Sequence, residues 1–554
     1  MKVFLRRVAA LVSRIRLDRK LPPVVGDLYV PVAKLRSRSA FRKLSERLPH
    51  NRGEPGDTRI RLGKQTVWSA GPLELPTSEL GHEIATRVVD ALEDVGLKPF
   101  LVDRAGDGFE FGLMAPDRTV ALRALQSHMT GDAVYMTSPK ARRHDAVVDL
   151  HEVGPRSALA LEPSWRIFVL RGHGSAVFGP DQATTISFWD VGASGKAERL
   201  GDRGHPRFDP TSDRTTEVVN GRRYPGIAAF PVQNSLRYLN DPVDIVFTWV
   251  DGSDPLWRHD FNETAKAEGR SLLDPELHQG RFHTREELRY SLRSVWAYCG
   301  WARNIYVVTA GQAPDWLVES DGLRLMDHAD ILPAAALPTF NSHAIEAALH
   351  KIDGLSEHFI YFNDDVAVGR PVQPELFFTP NGLARVFTSE ALVDPSDDDT
   401  LTAFDTAAMR NRALLATRFH RVVRSKPDHA PFPLRRSTLE RLEQEFATEI
   451  TATIHSKFRS PHDLSVAASL AQHYGLIQQD SIVGDIAVDY VNVDSARLSL
   501  HLDRILHSKT FDAFCINEAS GTVATENQER LVRDFYNQMF PTPAPWERSD
   551  TSTD

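Results

Sequence analysis

Asp364-Asp365 is the sharpest chemical feature of the sequence. Two carboxylates closing the apolar run FIYFN at 359–363 can hold Mg2+ or Mn2+, hard cations that take oxygen ligands and bridge to phosphate. The same Asn-Asp-Asp string also ends a strand as a plain turn. Asp251-Gly252-Ser253-Asp254-Pro255 follows another apolar run and is turn-like by composition, so its two carboxylates are open to either reading. His429 precedes the proline-stiffened PFPLRR, and HSKFRSPHDLS at 455–465 contributes Lys457, Arg459 and Asp463. Histidine serves as a base near neutral pH and arginine matches phosphate oxygens. Taken singly, each of these residues also fits a solvated surface loop. Arg281, Arg285, Arg289 and Arg293 recur at helical i, i+4 spacing. They either attract a nucleotide diphosphate or form an exposed face partnered by Glu286 and Glu287.

Such residues need a frame that brings them together. VDIVFTWV at 243–250 reads as a buried strand, apolar and β-branched throughout. REELRYSLRSVWAYC at 285–299 has Leu288, Leu292 and Val295 at helical spacing. NIYVVT at 304–309 reads as a strand, HAIEAALHKI at 343–352 as a helix, and FIYFN as a strand. Strand, helix, strand, helix, strand predicts an α/β fold with a Rossmann-like, mostly parallel sheet. Ligands bind such sheets at the carboxyl ends of the strands. Both acidic turns fall at such ends. Upstream, a helix over 78–97, a strand at 99–103, a helix near 118–127 and strands at 146–150 and 166–170 predict a smaller α/β domain. The polar stretch 193–225 reads as a linker or long loop. The expected organisation is a basic extension and linker over 1–60, a small α/β domain over 61–235, a larger one over 236–546, and a disordered tail over 547–554.

The chain has 554 residues and a formal charge of −9, with 42% hydrophobic residues. That composition excludes a disordered, collagen-like or polytopic membrane protein. Cys299 and Cys515 are too few for a disulfide framework or a four-cysteine zinc site, and read as buried small hydrophobes in a reducing setting. Residues 1–50 carry 13 Lys/Arg against Asp18, Asp27 and Glu46, a net +10 that leaves −19 on the remainder. Residues 1–20 can form a basic helix with Phe4, Leu5, Val8, Leu11, Val12 and Ile15 near one face. Its apolar VAALV is too short to span a bilayer or act as a signal peptide. Such a helix either lies on an anionic membrane surface or stays solvated. The acidic body and the lack of basic–aromatic interleaving argue against nucleic acid.

In combination the segments resemble the Stealth family of sugar-1-phosphate transferases, which includes bacterial capsule polymerases and actinobacterial exopolysaccharide phosphotransferases. DIVFTWVDGSDP at 244–255 looks like its first region. RFHTREELRYSLRSV, NIYVVTAGQAPDWL, LPTFNSHAIE and GLSEHFIYFNDDVAVG, between 281 and 369, look like the second. HAPFPLRRS at 429–437 through KFRSPHDLS at 457–465 looks like the third, and FCINE at 514–518 like the fourth. The resemblance spans about 240–520. It implies a GT-A-like catalytic domain in which Asp364 and Asp365 lie at a Mg2+ or Mn2+ site. His429, Arg459 and Asn517 match the family's other essential positions. The resemblance further implies nucleotide-sugar contacts from the 244–255 turn, with Trp249, Asp251, Gly252 and Asp254, and the basic face adds Arg281 and Arg293 as candidate contacts. Thr284-Arg285 stands where many members have Asp-Asn, and Glu518 where Asp is frequent.

The implied reaction is attack of a glycan hydroxyl on the β-phosphorus of a UDP-sugar, releasing UMP and forming a phosphodiester. Phosphoryl transfer needs charge stabilisation and alignment above all. His429 would be the base, Arg459 and the cation would neutralise phosphate oxygens, and Asn517 would orient a phosphate or the acceptor. The implied partners are a nucleotide-sugar donor and a polysaccharide acceptor. The implied place is the cytoplasm, peripheral on the inner membrane face if residues 1–20 anchor there. A GT-A glycosyltransferase would instead attack the sugar C1 and release UDP, and a carbohydrate-binding protein would turn over no nucleotide.

Overall fold

A computed structural model of the chain describes residues 58–62, 65–131, 133–139, 147–173, 176–201, 207–233, 235–270, 282, 285–393, 402–517 and 524–548. The expected basic helix over 1–20 and Arg281 therefore lie outside the described residues. The chain falls into two compact units, one up to Glu74 and from Glu79 to Val232, the other Leu75–Ser78 and Gln233 onward. Among the described residues, no helix is long and apolar enough to cross a membrane.

The first unit holds a seven-stranded sheet in which Thr184–Val191 runs parallel to Gly108–Met114 and antiparallel to Ser164–Val169. Helix Arg118–His128 turns Ala121, Leu122, Ala124 and Leu125 inward. Phe100, Trp189 and Phe208 cluster in the core. Two expectations need correcting. Residues 58–60, expected at the end of the linker, belong to a strand, since Thr58–Leu62 pairs antiparallel with Gln65–Ser69. The stretch 193–225 is not a plain loop. Ala197–Arg199 joins the main sheet, and Arg214–Val219 pairs with Arg222–Ile227. The hairpin turn Asn220-Gly221 has both residues at positive φ, the backbone that an Asn-Gly hairpin turn requires.

The second unit carries the candidate chemistry. The elements that frame the site are, in chain order, β1 (Val243–Thr248), α1 (Pro255–Ala267), α2 (Glu287–Tyr298), β2 (Ile305–Thr309), β3 (Leu323–Asp327), α3 (Ser342–Glu346), β4 (His358–Asn363), β5 (Val366–Val368), β6 (Phe432–Arg435), β7 (Val488–Asn492) and β8 (Ala513–Asn517). The main sheet has the order β3-β2-β1-β4-β6. The first four strands are parallel and β6 runs antiparallel to β4. β1, β2 and β4 are buried along nearly their whole length, which is why they read as unbroken apolar runs rather than alternating ones. Val246, Tyr306, Val308, Phe359 and Tyr361 share one core cluster with Leu349 and Leu434. The Rossmann-like expectation holds. The order reverses between β1 and β4, the position where a crevice opens beyond the strand ends.

The sequence overextends one helix here. Residues 343–352 split into α3 and a short 3-10 turn at Leu349–Lys351. His350 is buried there and meets Glu443 at 2.8 Å. A second, three-stranded sheet has the order β5-β8-β7 and continues directly from β4 through Asp364-Asp365. The ordered chain also runs past 546. Glu547, assigned to the disordered tail, is buried and ion-paired, so its segment belongs to the folded unit.

Candidate active site

Strand register explains how distant residues meet. Thr248 at the end of β1 lies opposite Asn363 at the end of β4, so the turns at 251–254 and 364–365 leave the same edge of the sheet. On the other side of β4, Tyr361 faces Phe432 of antiparallel β6. Three residues further along β4 comes Asp364, and three residues before Phe432 comes His429. In the second sheet Val366 faces Cys515, which carries Asn517 to the flank of Asp365.

Asp365 is the hub. Asn517 Nδ2 donates to its Oδ2 at 2.6 Å, and the Cys515 thiol donates to the same oxygen at 3.3 Å. Its Oδ1 lies 3.7 Å from His429 Nε2. That separation is too long for a hydrogen bond, and both atoms are buried with no hydrogen-bond partner. His429 keeps 37% of its side chain exposed. Burial pulls its pKa down, but its interaction with the Asp365 carboxylate and then the charge of Glu346 outweigh burial and hold it above the usual value. Asp364 is pushed well above the usual carboxylate range by burial, then by the charges of Asp365 and Glu287. Burial, then Asp365, also raises the Cys515 thiol far above its ordinary value, so it stays protonated and donates.

Arg459 joins from a separate loop. Asn341 Nδ2 donates to Ser456 O at 3.1 Å and to Asp463 Oδ2 at 2.8 Å, and Phe340 N donates to Lys457 O at 2.8 Å. These bonds fasten 456–463 to the start of α3. Ser342 Oγ then accepts from Arg459 Nε at 3.2 Å and Nη2 at 2.7 Å. Glu346, buried at the other end of α3, has its pKa raised by burial, with the charges of His343, Arg459 and His429 opposing. His429 and Arg459 therefore both act on one buried carboxylate.

The turn after β1 is more structural than its composition suggests. Asp254 caps α1, accepting from Leu256 N at 2.8 Å, and its other oxygen accepts from Gln312 Nε2 at 2.9 Å. Asp251 Oδ1 accepts from Ser253 N and Oγ at 2.8 and 2.6 Å. Gly252 is required by space: a Cβ there would lie 2.4 Å from Phe282 Cβ. Trp249 is buried beside them.

Arg293 must be withdrawn as a nucleotide contact. It is buried, and its Nε and Nη2 form a fork to Glu547 at 2.6 and 2.7 Å while Nη1 donates to Phe540 O at 3.0 Å. With these donors directed at protein oxygens, the guanidinium has no open side for a diphosphate. The other described arginines of the face follow suit, Arg289 pairing with Glu547 and Glu286 and Arg285 with Glu287. Sequence reasoning named Glu287 only as a partner of the arginine face, and missed Glu346 and the contact of Cys515 with Asp365. FCINE contains the cysteine, but only the β5–β8 register reveals what it touches.

Asp365 could hold a metal ion through its unpaired Oδ1, with His429 and Cys515 beside it. Asp365 Oδ1 and His429 Nε2 are orphaned buried polar atoms facing one another, and ligand atoms of Asp365, His429 and Cys515 all lie within 4.8 Å of each other. Asp364, expected as a second ligand, is not in that group. Burial and the neighbouring charges of Asp365 and Glu287 disfavour its ionised form, a cost that a cation beside it would relieve.

A Rossmann-like sheet with paired carboxylates at its switch point defines a class, and four segments narrow it further. Residues 241–260, 281–386, 428–476 and 503–553 match Stealth protein conserved regions 1, 2, 3 and 4 respectively. Exopolysaccharide phosphotransferase SCO6023 of Streptomyces coelicolor is 35% identical over 89% of this chain and 85% of its own length. The chain belongs to the Stealth family. Exopolysaccharide phosphotransferase CpsY of Mycobacterium tuberculosis is 36% identical over 68% of this chain and 71% of its own. SCO2592 of S. coelicolor, also an exopolysaccharide phosphotransferase, is 35% identical over 89% of this chain, and the chain spans only 55% of that protein's length. A crystal structure of the galactosyltransferase LgtC aligns at 12% identity and a TM-score of 0.29, over 55% of this chain and 98% of that one.

Proposed function

We propose that the chain transfers a sugar-1-phosphate from a UDP-sugar to a hydroxyl of a polysaccharide, releasing UMP. The observation that carries this reading is the convergence of Asp364, Asp365, His429 and Asn517 at the carboxyl edge of β4, beside the switch point with β1. The relatives' shared description as exopolysaccharide phosphotransferases supports the same class of acceptor.

His429 Nε2, facing Asp365 with no hydrogen-bond partner, takes the proton from the acceptor hydroxyl. Asp365 and Glu346 keep the imidazolium favourable once it forms. Arg459, held by Ser342 Oγ, presents positive charge to phosphate oxygens. Asn517 fixes the Asp365 carboxylate so that Oδ1 stays turned toward His429. Asp365, with Asp364 beside it, would hold Mg2+ or Mn2+, which would supply neutralising charge at the diphosphate. Trp249, Asp251 and Gly252 frame the crevice on the donor side. The reaction leaves the sugar C1–O bond intact, so the anomeric configuration of the donor is retained. Residues 1–20 would hold the protein peripherally on an inner membrane face.

The test incubates the protein with a panel of UDP-sugars and a polysaccharide acceptor and separates the nucleotides chromatographically. UMP is expected. UDP release would establish a glycosyltransferase, and no nucleotide turnover a binding protein. Excess EDTA is expected to stop transfer and added Mg2+ or Mn2+ to restore it. Undiminished transfer in chelator would remove the cation. Deleting residues 1–20 should lower membrane recovery while sparing turnover of a soluble acceptor.

A further inference from the structure

Tyr490 lies on β7, outside all four matched segments, between the third and the fourth. Its side chain is left open, with 45% of its surface exposed. Its position is not arbitrary. In the parallel pairing of β7 with β8, Tyr490 faces Cys515 and Asn492 faces Asn517. Tyr490 and Asn492 therefore share the face of the sheet on which Cys515 and Asn517 reach Asp365. Its ring stands edge-on to His429, with centroids 6.0 Å apart and planes at 73°.

An aromatic face, half open to water and within one sugar ring's width of a base, is the surface that the C–H face of a pyranose stacks on. A general base must come within hydrogen-bond reach of the hydroxyl it deprotonates. The ring that contacts His429 is thus the acceptor's, while the turn after β1 lies on the other side of β4 from β6 and frames the donor.

We propose that Tyr490 is the platform on which the acceptor sugar stacks, making it a determinant of acceptor choice supplied from outside the family's shared regions. This rests on the transferase reading above. The shared segments would supply the phosphoryl chemistry, and the intervening strand would select the glycan.

The experiment compares wild type with Tyr490→Ala, Tyr490→Phe and Tyr490→Trp, using the UDP-sugar that wild type converts to UMP and defined tetrasaccharides of glucose, galactose and N-acetylglucosamine as acceptors. Tyr490→Ala should raise KM for the acceptor about tenfold, the change that roughly 1.4 kcal/mol of lost contact produces. KM for the UDP-sugar should move less than twofold. Tyr490→Phe and Tyr490→Trp should restore acceptor KM, and Trp should reorder preference among the tetrasaccharides. Tyr490→Val, which keeps strand propensity, replaces alanine if that variant fails to fold. An unchanged acceptor KM in the alanine variant, or equal losses toward donor and acceptor, would overturn the platform while UMP release by wild type leaves the transferase reading standing. A wild type that releases no UMP with any donor would overturn both.

Discussion

The two ends of the main sheet each carry an acid with a buried carboxylate oxygen, and they are treated in opposite ways. Asp244, at the start of β1, is fully buried and fully engaged. It accepts from Arg303 Nε at 2.9 Å and Nη2 at 2.5 Å, from Asn304 N at 3.1 Å and from Ser356 N at 2.7 Å. Those bonds tie the start of β1 to the segments entering β2 and β4. Asp365, at the far end of β4, has one oxygen held by Asn517 and Cys515 while the other faces His429 with no partner. A satisfied buried carboxylate is architecture. One left half-satisfied costs stability, and such residues concentrate where a ligand completes the set.

That contrast can be broken by substitution. The largest effect is expected at Asp365. Asp365→Asn should lower transfer by about 10³-fold or more, because charge stabilisation dominates phosphoryl transfer, while thermal unfolding barely shifts. Steady-state UMP release alongside calorimetry checks both halves. Next comes His429→Ala, with a loss of about 10²–10⁴-fold typical of a general base. Wild-type activity should rise with pH through a pKa above 6.5, since His429 acts unprotonated and its neighbours raise that pKa. The alanine variant should lose this acidic limb, and a profile that keeps it would remove His429 as the base.

The opposite end should respond the opposite way. Asp244→Ala orphans two backbone N–H groups and should cost about 2–4 kcal/mol of stability, with turnover per folded molecule retained. Glu547→Gln should cost about 2 kcal/mol, because it uncouples the buried Arg293, and should leave KM for the UDP-sugar unchanged. A raised KM there would reinstate Arg293 as a donor contact. The smallest effect concerns acid stability. Burial lowers the pKa of His328 to about 4, with Asp327 opposing. Between pH 6.5 and about 4 the unfolded chain binds a proton at this site that the folded one refuses. Stability therefore falls as pH drops through that window, by about 1.4 kcal/mol per pH unit for one such group. His328→Leu should flatten the slope, as urea titrations at pH 7 and 5 would show.

The same two ends explain what could be read from the sequence. Asp364-Asp365 was legible because an apolar run stops on it, and a buried parallel strand must end at a ligand edge or a turn. The strands β1, β2 and β4 were legible for the same reason. Asp244 was not, although it sits inside the most readable strand, since its partners Arg303, Asn304 and Ser356 are about 60 and 112 residues away in sequence. Arg293 was misread because i, i+4 spacing reports which residues share a helix face but not what covers it, and Glu547 lies 254 residues on. β3 and the antiparallel β6 were missed because Leu323–Asp327 is only partly buried and β6 begins within a proline-rich string. Cys515 and Tyr490 acquire meaning only through the register of β5, β7 and β8, which no local pattern encodes.

The account stands on Asp365 and His429 acting as one unit at the open end of the sheet. A double-mutant cycle on UMP release, with Asp365→Asn, His429→Ala and the pair together, tests this most directly. The double variant should be no slower than the worse single variant, because either substitution alone dismantles the unit. Losses that multiply, leaving the double variant slower by the product of the two single effects, would show that the residues act independently and would contradict the account.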